Sequence, residues 1–249
     1  DPVTAGCAAV FDGRFGISSG YAPYPYGVVY WNGRTGSLHG GAGYAGGSST
    51  DPYSRRGSIN GQGALNYAGG TMYVGANPYG SGPSIGMSIN TSNCSAFVCA
   101  KNTSTSGTGY YGRIIGVDAD TSAFYGVYQP SSTVYIASFF GNGSGTWNDT
   151  NENSPNVLAD NAFAACFSNN GTSCTPTTNT TVQSTKTVTP VNCTVSTLTG
   201  TAIVGNPYVF SQLFRGDIGM IAISATKLST PVERRILQMM GRVWRIHTL

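Results

Sequence analysis

Short apolar runs, separated by turns rich in glycine, asparagine and proline, recur along most of this chain. Such short strands at intervals of about 8 to 12 residues are typical of an antiparallel β-sandwich. The clearest predicted strands cover residues 96–100, 110–117, 124–128, 134–140 and 162–167. Turn signals predict hairpins at Gly69-Gly70 and at Asn169-Asn170-Gly171, whereas residues 141–160 predict a polar loop.

The strongest pattern lies near the end of the chain. The run Ile218–Ser224 is apolar at both odd and even positions, which suits a strand buried on both faces. In the Ser229-Thr230-Pro231 sequence that follows, either hydroxyl residue could be the N-cap of a helix and Pro231 suits the first helical position. Glu233 places a carboxylate at the predicted helix start, where the helix dipole favours it.

The helix predicted from about Thr230 to Arg242 is amphipathic. Its apolar stripe consists of Val232, Ile236, Met239, Met240 and Val243. No other stretch shows a comparable helical pattern, because strand signals occupy the rest of the chain. The sequence therefore predicts an all-β protein with one C-terminal helix.

This segment resembles the end of concanavalin A-like jelly-roll domains of the laminin-G-like type. The matching residues are Gly205, Gly216, Asp217, Ile218, Leu228, Ser229, Glu233, Arg234 and Trp244. Residues 29–36 (VYWNGRTG) also look like the Trp-Asn/Asp-x-x-Gly segment near the first strands of such domains. The resemblance implies a two-sheet antiparallel jelly-roll sandwich, of a type found in phage virions and in bacterial surface proteins.

A chain of 249 residues is long enough for one large β-sandwich, so we expect residues 1–249 to form a single domain. Residues 172–201 contain 13 threonines and resemble a mucin-like stalk in composition. Val182, Val188, Val191 and Val195 give the same segment β character. We therefore predict that it forms a threonine-rich strand pair protruding from the sandwich.

Charged residues make up only 9% of the chain, against about 25% in ordinary proteins. Because 40% of the residues are hydrophobic and 11% aromatic, the composition favours a folded protein over a disordered one. The net charge of +3 is not arranged in a basic stripe, so we expect no nucleic-acid partner. No apolar run reaches the roughly 18 residues of a membrane span, so we expect no membrane insertion.

Six cysteines, an even number, predict an oxidising compartment and disulfide bonds. Cys94 with Cys99, and Cys166 with Cys174, have spacings that suit bridges within tight loops. Cys7 and Cys193 then remain as a long-range pair. Six cysteines allow 15 pairings, and free thiols or a zinc site are the alternatives.

Aromatic residues in predicted loops, and Trp31 at the end of a strand predicted over residues 28–31, supply the candidate binding positions. These residues are Tyr21, Tyr24, Tyr26, Trp31, Tyr44 and Trp147. They could form a platform that stacks on sugar rings, or they could simply pack over the edge of the sandwich. Since tyrosine gives a large contact area and glycine allows close approach, we predict that residues 21–26 and 40–47 lie between protein subunits.

The ten carboxylates are too scattered to predict catalysis. Glycosidases flank the scissile bond with two carboxyl groups, whereas Glu152 and Glu233 are the only glutamates and lie far apart in sequence. Asp118 and Asp120 share one face of a predicted strand end and could bind calcium, or they could be exposed carboxylates. Asp149 and Glu152 form a second, weaker calcium candidate. We expect no other cofactor and no enzyme activity.

Low charge, glycine-rich contact loops and predicted disulfides favour a structural or adhesion protein on an extracellular particle. A phage virion component, such as a capsid decoration or a tail or fibre subunit, is the first hypothesis. Its partners would be other subunits of an oligomeric assembly, with surface glycans as further ligands. A soluble carbohydrate-binding lectin is the alternative, and a secreted glycan-active enzyme is the second alternative.

Overall fold

The structure of this protein is a computed structural model. It describes residues 1–15, 17–19, 28–32, 39–42, 53–68, 72–74, 93–103, 110–117, 124–129, 134–141, 147–149, 156–157, 161–170, 173–178, 181–182, 186–187, 202–204 and 215–246. Side chains are described for residues 1–15, 58–66, 93–103, 114, 161–170, 175, 177 and 216–246. These residues form 19 strands in two antiparallel sheets and one helix.

The first sheet contains nine strands. They are β1 (Ala9–Asp12), β5 (Tyr53–Ile59), β6 (Gln62–Ala68), β8 (Cys94–Asn102), β14 (Ala162–Asn169), β15 (Ser173–Thr178), β16 (Thr181–Val182), β17 (Lys186–Thr187) and β19 (Arg215–Ser224). Their order is β16-β15-β14-β8-β19-β6-β5, with β1 beside β19 and β17 beside β15. The central position of β8 and β19 explains why both strands are buried almost throughout.

The second sheet contains ten strands. They are β2 (Ile17–Ser19), β3 (Val28–Asn32), β4 (His39–Ala42), β7 (Met72–Val74), β9 (Tyr110–Val117), β10 (Phe124–Gln129), β11 (Val134–Gly141), β12 (Trp147–Asp149), β13 (Asn156–Val157) and β18 (Ala202–Val204). Their order is β12-β11-β10-β9-β18-β7-β4-β3-β2, with β13 beside β11. Two short strands therefore lie within residues 141–160, which the sequence predicted to be a loop.

The helix α1 covers Thr230–Val243 and confirms the prediction from the sequence. Ser229 is the N-cap by backbone conformation, but its side chain makes no capping hydrogen bond. The backbone N–H groups of Val232 and Glu233 donate instead to the Ser229 carbonyl. The helix ends at Trp244, and the following Arg245 has a positive φ of 51° that turns the chain back.

The hydrophobic core lies on both sides of the first sheet. One face, here called the helix-side face, packs with α1 through Ile236, Leu237 and Met240, and carries Phe97 and Met220. The opposite face is equally buried. Its members are Ala9, Phe11, Leu65, Ala96, Val98, Ala100, Phe163, Ala165, Phe167, Ile218, Ile221 and Ile223. The prediction that Ile218–Ser224 is buried on both faces is confirmed.

The strand pairing corrects one predicted hairpin and confirms another. β14 and β15 pair antiparallel across the Asn169-Asn170-Gly171 turn, as predicted. The hairpin predicted at Gly69-Gly70 is wrong, because β6 belongs to the first sheet and β7 to the second. The chain crosses between sheets at this point, an outcome that a local turn signal cannot distinguish from a hairpin.

The predicted bridge between Cys94 and Cys99 is wrong. Both residues lie in β8, five positions apart, which separates them by about 16 Å. A disulfide requires Cα atoms within about 7 Å of each other. The short spacing therefore marks a continuous strand and not a stapled loop.

The two other predicted bridges are also wrong. Cys166 lies opposite Thr177, whereas Cys174 lies opposite Asn169, so the two cysteines are offset by three positions on adjacent strands. That offset alone is about 10 Å. Cys7 is a buried free thiol and hence has no bond to Cys193, which lies outside the described residues. Apolar surroundings, and not covalent pairing, account for the burial of Cys7, Cys94, Cys99 and Cys166.

Candidate functional site

Most of the aromatic residues predicted to bind a partner lie outside the described residues, namely Tyr21, Tyr24, Tyr26 and Tyr44. Trp31 lies in β3 and Trp147 in β12, seven strand spacings or about 34 Å apart along the second sheet. The register also places these two tryptophans on opposite faces of that sheet. They therefore do not form one site.

The second sheet instead aligns three tyrosines on adjacent strands. Tyr128 of β10 lies directly opposite Tyr111 of β9 and directly opposite Tyr135 of β11. Directly opposed residues in an antiparallel sheet share one face. We call the face defined by Tyr111, Tyr128 and Tyr135 the tyrosine face.

Two further rows continue the tyrosine face along the same strands. The next row consists of Arg113, Gly126 and Ala137, and the following one contains Phe124 and Phe139. Four residues separate Tyr128 from Phe124, which corresponds to about 14 Å. Small residues at Gly126 and Ala137 therefore lie between two aromatic rows.

A β-bulge in β9 changes which of its later residues belong to the tyrosine face. Tyr125 pairs with Ile115 and Gly126 pairs with Arg113, so Ile114 is the extra residue. Ile114 is completely buried. Without the extra residue, strict alternation from Tyr111 would place Ile115 on the tyrosine face. Alternation from Tyr111 places Arg113 on the tyrosine face, and the bulge that follows it assigns Ile115 to the other face.

The other face of the second sheet carries more aliphatic residues. Its register positions include Ile115, Val127, Val134, Ile136, Phe140, Met72, Val74, Ala202 and Val204, together with Trp31, Tyr110, Tyr125, Gln129 and Ser138. Trp147 and Asp149 belong to the tyrosine face, because they pair with Gly141 and Phe139 of β11.

The sequence contains a signal for the tyrosine face that lies outside the predicted loops. Phe124, Tyr125 and Tyr128 give one predicted strand three aromatic residues, and the period of two in a strand places Phe124 and Tyr128 on the same face. The signal could show that Tyr128 belongs to one face of β10. It could not show that Tyr111 and Tyr135 lie beside it, because that depends on the pairing register.

The buried carboxylates of the first sheet have structural contacts. Asp12 is fully buried and accepts two hydrogen bonds from the guanidinium of Arg14, at 2.9 Å from Nε and 2.7 Å from Nη2. Hydrogen bonding to Asp12 raises the pKa of Arg14. The guanidinium of Arg14 also lies 4.9 Å from the ring centroid of Trp244 and 5.0 Å from that of Phe15. This cluster joins the N-terminal strand to the end of α1.

Glu233 joins α1 to strand β8. The Ser95 hydroxyl donates to Oε1 of Glu233 at 2.6 Å and accepts the backbone N–H of Leu228 at 2.9 Å. Lys227 Nζ lies 3.9 Å from the same Oε1 atom. Glu233 is only 5% exposed, so these contacts replace the water that its carboxylate loses on burial.

Asp217 of β19 is a further buried carboxylate of the first sheet. Its Oδ1 atom accepts a hydrogen bond of 2.7 Å from Nδ2 of Asn66, and the residue is 1% exposed. Asp12, Asp217 and Glu233 thus each bind a partner within the protein. On the strands of the second sheet, the part that is described has one carboxylate, Asp149.

The buried thiols are poor nucleophiles. Burial raises the pKa of Cys7 to about 11, partly offset by the N-terminal charge. The pKa of Cys99 is also raised well above its ordinary range, first by burial and then by the nearby Asp12 carboxylate, with Arg14 opposing. A thiolate is the reactive form of cysteine, so neither residue is suited to nucleophilic chemistry near neutral pH.

The predicted calcium ligands Asp118 and Asp120 lie outside the described residues, as does Glu152. Calcium binding at these positions stays a prediction. Among the residues whose positions are described, no group of three histidine, cysteine, aspartate or glutamate side chains could hold a metal ion. Within the same residues, no helix is long and apolar enough to cross a membrane.

Comparison with known proteins gives structural neighbours but no sequence relatives. No family model and no curated protein matches the sequence. Domain 4 of AbnA, an extracellular GH43 arabinanase from Geobacillus stearothermophilus solved with arabinotriose, is similar in structure. Its TM-score is 0.61 at 13% identity, and the match covers 94% of this chain and 98% of the arabinanase domain.

Two further neighbours are larger proteins. The sialidase of Trypanosoma rangeli, solved with the inhibitor DANA, has a TM-score of 0.56 at 8% identity over 93% of this chain and 32% of the sialidase. The ligand-binding domain of botulinum neurotoxin serotype D, solved with N-acetylneuraminic acid, has a TM-score of 0.55 at 10% identity over 94% and 51%. The chain thus spans about a third and a half of these two neighbours. Identities this low show a shared, mostly-β fold, and a fold does not define a function.

Proposed function

We propose that this chain is an extracellular, non-catalytic carbohydrate-binding domain and that glycans bind to its tyrosine face. The observation that carries the proposal is the direct alignment of Tyr111, Tyr128 and Tyr135 across β9, β10 and β11. An aromatic ring offers a flat apolar surface with a negative π face, and tyrosine adds a hydroxyl that can bind polar groups. Sugar rings have complementary C–H surfaces and hydroxyl groups.

The shape of the face supports the same proposal. Gly126 and Ala137 place little side-chain volume between the tyrosine row and the row of Phe124 and Phe139. With about 14 Å between the two aromatic rows, an oligosaccharide lying across the strands would find an aromatic row on either side. Ligand sites commonly combine apolar or aromatic walls with a few polar groups.

The proposal includes a specific fold. We infer that the two sheets pack as a concanavalin A-like jelly-roll sandwich of the laminin-G-like type, within one domain of residues 1–249. The burial of the first sheet on both faces supports this arrangement, since α1 covers only one of them. The contact between β11 of the second sheet and β15 of the first supports it as well. The tyrosine face would then be the outer face of the second sheet.

The structural neighbours are consistent with carbohydrate binding. The arabinanase domain was solved with arabinotriose and the toxin domain with N-acetylneuraminic acid. Neither neighbour is described as a virion component. Assembly into a phage particle therefore has less support than glycan binding, and in that case the tyrosine face would contact another protein subunit.

The experiment is a glycan array with the wild-type protein and with two single variants. We expect saturable binding by the wild type and at least tenfold weaker binding by Tyr128→Ala, because loss of a central aromatic contact costs about 2 kcal/mol and about 1.4 kcal/mol already corresponds to tenfold. Tyr30→Ala is the matched control. Tyr30 lies on the same face but in β3, four strand spacings from β9, and its variant should bind like the wild type.

Circular dichroism and thermal melting of both variants would show whether they remain folded. Equal loss in both variants, with intact folding, would contradict a site on β9–β11. Absence of saturable glycan binding by the wild type, together with a defined oligomer that Tyr128→Ala disrupts, would favour the assembly function.

A further inference from the structure

Arg113 lies between the two aromatic rows of the tyrosine face. Its Cα partner is Gly126 of β10, whose partner in turn is Ala137 of β11. Tyr111 lies two residues before it on β9. A permanently charged side chain in such a weakly charged chain requires an explanation, since charged residues make up only 9% of the sequence.

Arg113 is also distant from any carboxylate on the strands of this sheet. Within the described strands of the second sheet, the only acidic residue is Asp149 of β12. Three strand spacings, or about 14 Å, separate β9 from β12. On the described strands β10 and β11, the register positions of the same row are Gly126 and Ala137, and neither carries a charge.

Alternation from Tyr111 assigns Arg113 to this row, and a β-bulge follows Arg113 directly. Bulges change the face to which the following residues belong, and they often occur next to functional sites. Here the extra residue Ile114 is buried and Ile115 belongs to the other face, while Arg113 keeps the register of Tyr111. The irregular position of β9 is therefore adjacent to the one residue of this strand that carries a charge.

We propose that the glycan bound by the tyrosine face carries a carboxylate, which Arg113 binds. The inference rests on the proposed function and specifies its ligand class as acidic sugars. A guanidinium is planar and its two parallel N–H donors match the two oxygens of a carboxylate. Opposite charge at a weakly charged site gives specificity through electrostatic complementarity.

The test compares acidic and neutral oligosaccharides in matched pairs. The probes are sialyllactose against lactose, and trigalacturonate against galactotriose, with affinities measured by calorimetry at low and high salt. The wild type should bind each acidic sugar at least tenfold more tightly than its neutral partner, as expected for a charge-assisted hydrogen bond. The preference should decrease with salt.

Variants of Arg113 test the assignment directly. Arg113→Gln should bring the ratio of acidic to neutral affinity close to one, and Arg113→Lys should retain part of it, because lysine keeps the charge but not the planar donor pair. Arg242→Gln is the control for net charge, since Arg242 is exposed on α1, and its ratio should match the wild type. Thermal melting verifies the folding of each variant.

The outcomes separate the two proposals. Binding of neutral sugars with equal or greater affinity than acidic ones would overturn the role of Arg113 and leave the proposed function intact. Equal affinity for sulfated lactose and sialyllactose would overturn the preference for a carboxylate. Binding of no glycan at all would overturn the proposed function.

Discussion

Three buried carboxylates in the core of this protein are stabilised by specific donors. Asp12 binds Arg14, Asp217 binds Asn66 and Glu233 binds Ser95. Each carboxylate loses water on burial and would cost several kcal/mol without a partner. The sequence identified Glu233 as a helix-start residue, but it could not identify Ser95, which is 138 positions away, as its donor.

The cysteines show why residue spacing alone gave the wrong chemistry. An even number of cysteines and two short spacings predicted disulfides, yet those spacings arise within one strand and across an offset strand pair. Alternation would have given a better interpretation of Cys94 and Cys99. Five residues apart in a strand, they belong to opposite faces of the sheet.

The raised pKa of Cys7 predicts a loss of stability at alkaline pH. The folded protein holds the Cys7 proton up to about pH 11, whereas an unfolded chain releases it near pH 8.5. Between these values the folded state binds more protons, so the free energy of unfolding falls as pH rises. The contribution of Cys7 is fully present below about pH 8.5 and is lost by about pH 11.

Urea denaturation of the wild type and of Cys7→Ala, at about pH 8 and about pH 10.5, measures this effect. Other groups titrate in both proteins, so the difference between the two isolates Cys7. We expect the stability advantage of the wild type to shrink at the higher pH. An advantage that stays constant or grows would show that the Cys7 thiol is not protected by burial.

Among the elements, the helix was the most predictable and its attachment the least. The Pro231 and Glu233 signals and the apolar stripe are local, so they predicted α1 correctly. The contacts of Trp244 with Gly219 and Arg14 are long-range. A side chain at Gly219 would collide with the Trp244 ring, and this explains a glycine within an otherwise apolar strand.

Helix attachment gives a prediction at this scale. Ser95→Ala should reduce the free energy of unfolding by about 1–3 kcal/mol, because Glu233 and the Leu228 N–H both lose their hydrogen bond to the hydroxyl. Ser229→Ala is the matched control. Its hydroxyl makes no capping hydrogen bond, so the change should stay within about 0.5 kcal/mol.

Denaturant unfolding followed by circular dichroism would measure both variants. Equal destabilisation by Ser95→Ala and Ser229→Ala would contradict the specific role of the Ser95–Glu233 hydrogen bond at the start of the helix.

At the scale of the whole molecule, the sequence predicted the class of fold but not its pairing. Alternating and continuous apolar runs indicated β9, β10, β11 and β14 with nearly correct bounds. The insertion of β18 between β9 and β7, and of β19 between β8 and β6, pairs residues that are between 85 (Ala202 with Val117) and 153 (Ile218 with Leu65) positions apart in sequence. Local patterns contain no information about such partners, and a shift of one residue in register would move every side chain to the other face.

The tyrosine face is therefore a property of the assembled sheet. Tyr111, Tyr128 and Tyr135 become one surface only when β9, β10 and β11 pair in the observed register. Tyr21, Tyr24, Tyr26 and Tyr44, which were predicted as binding residues, belong to glycine- and proline-rich segments that are easy to recognise in the sequence. The strand aromatics required knowledge of which strands are neighbours.

The most direct test of glycan binding at the tyrosine face is a titration followed by backbone amide chemical shifts in nuclear magnetic resonance. The protein would be titrated with the oligosaccharide that binds most tightly in the array. We predict saturable shifts centred on Tyr111–Arg113 of β9, Gly126–Tyr128 of β10 and Tyr135–Ala137 of β11, with little change in α1 or in β8 and β19. Saturable shifts centred on the first sheet or the helix, with β9–β11 unaffected, would contradict the account.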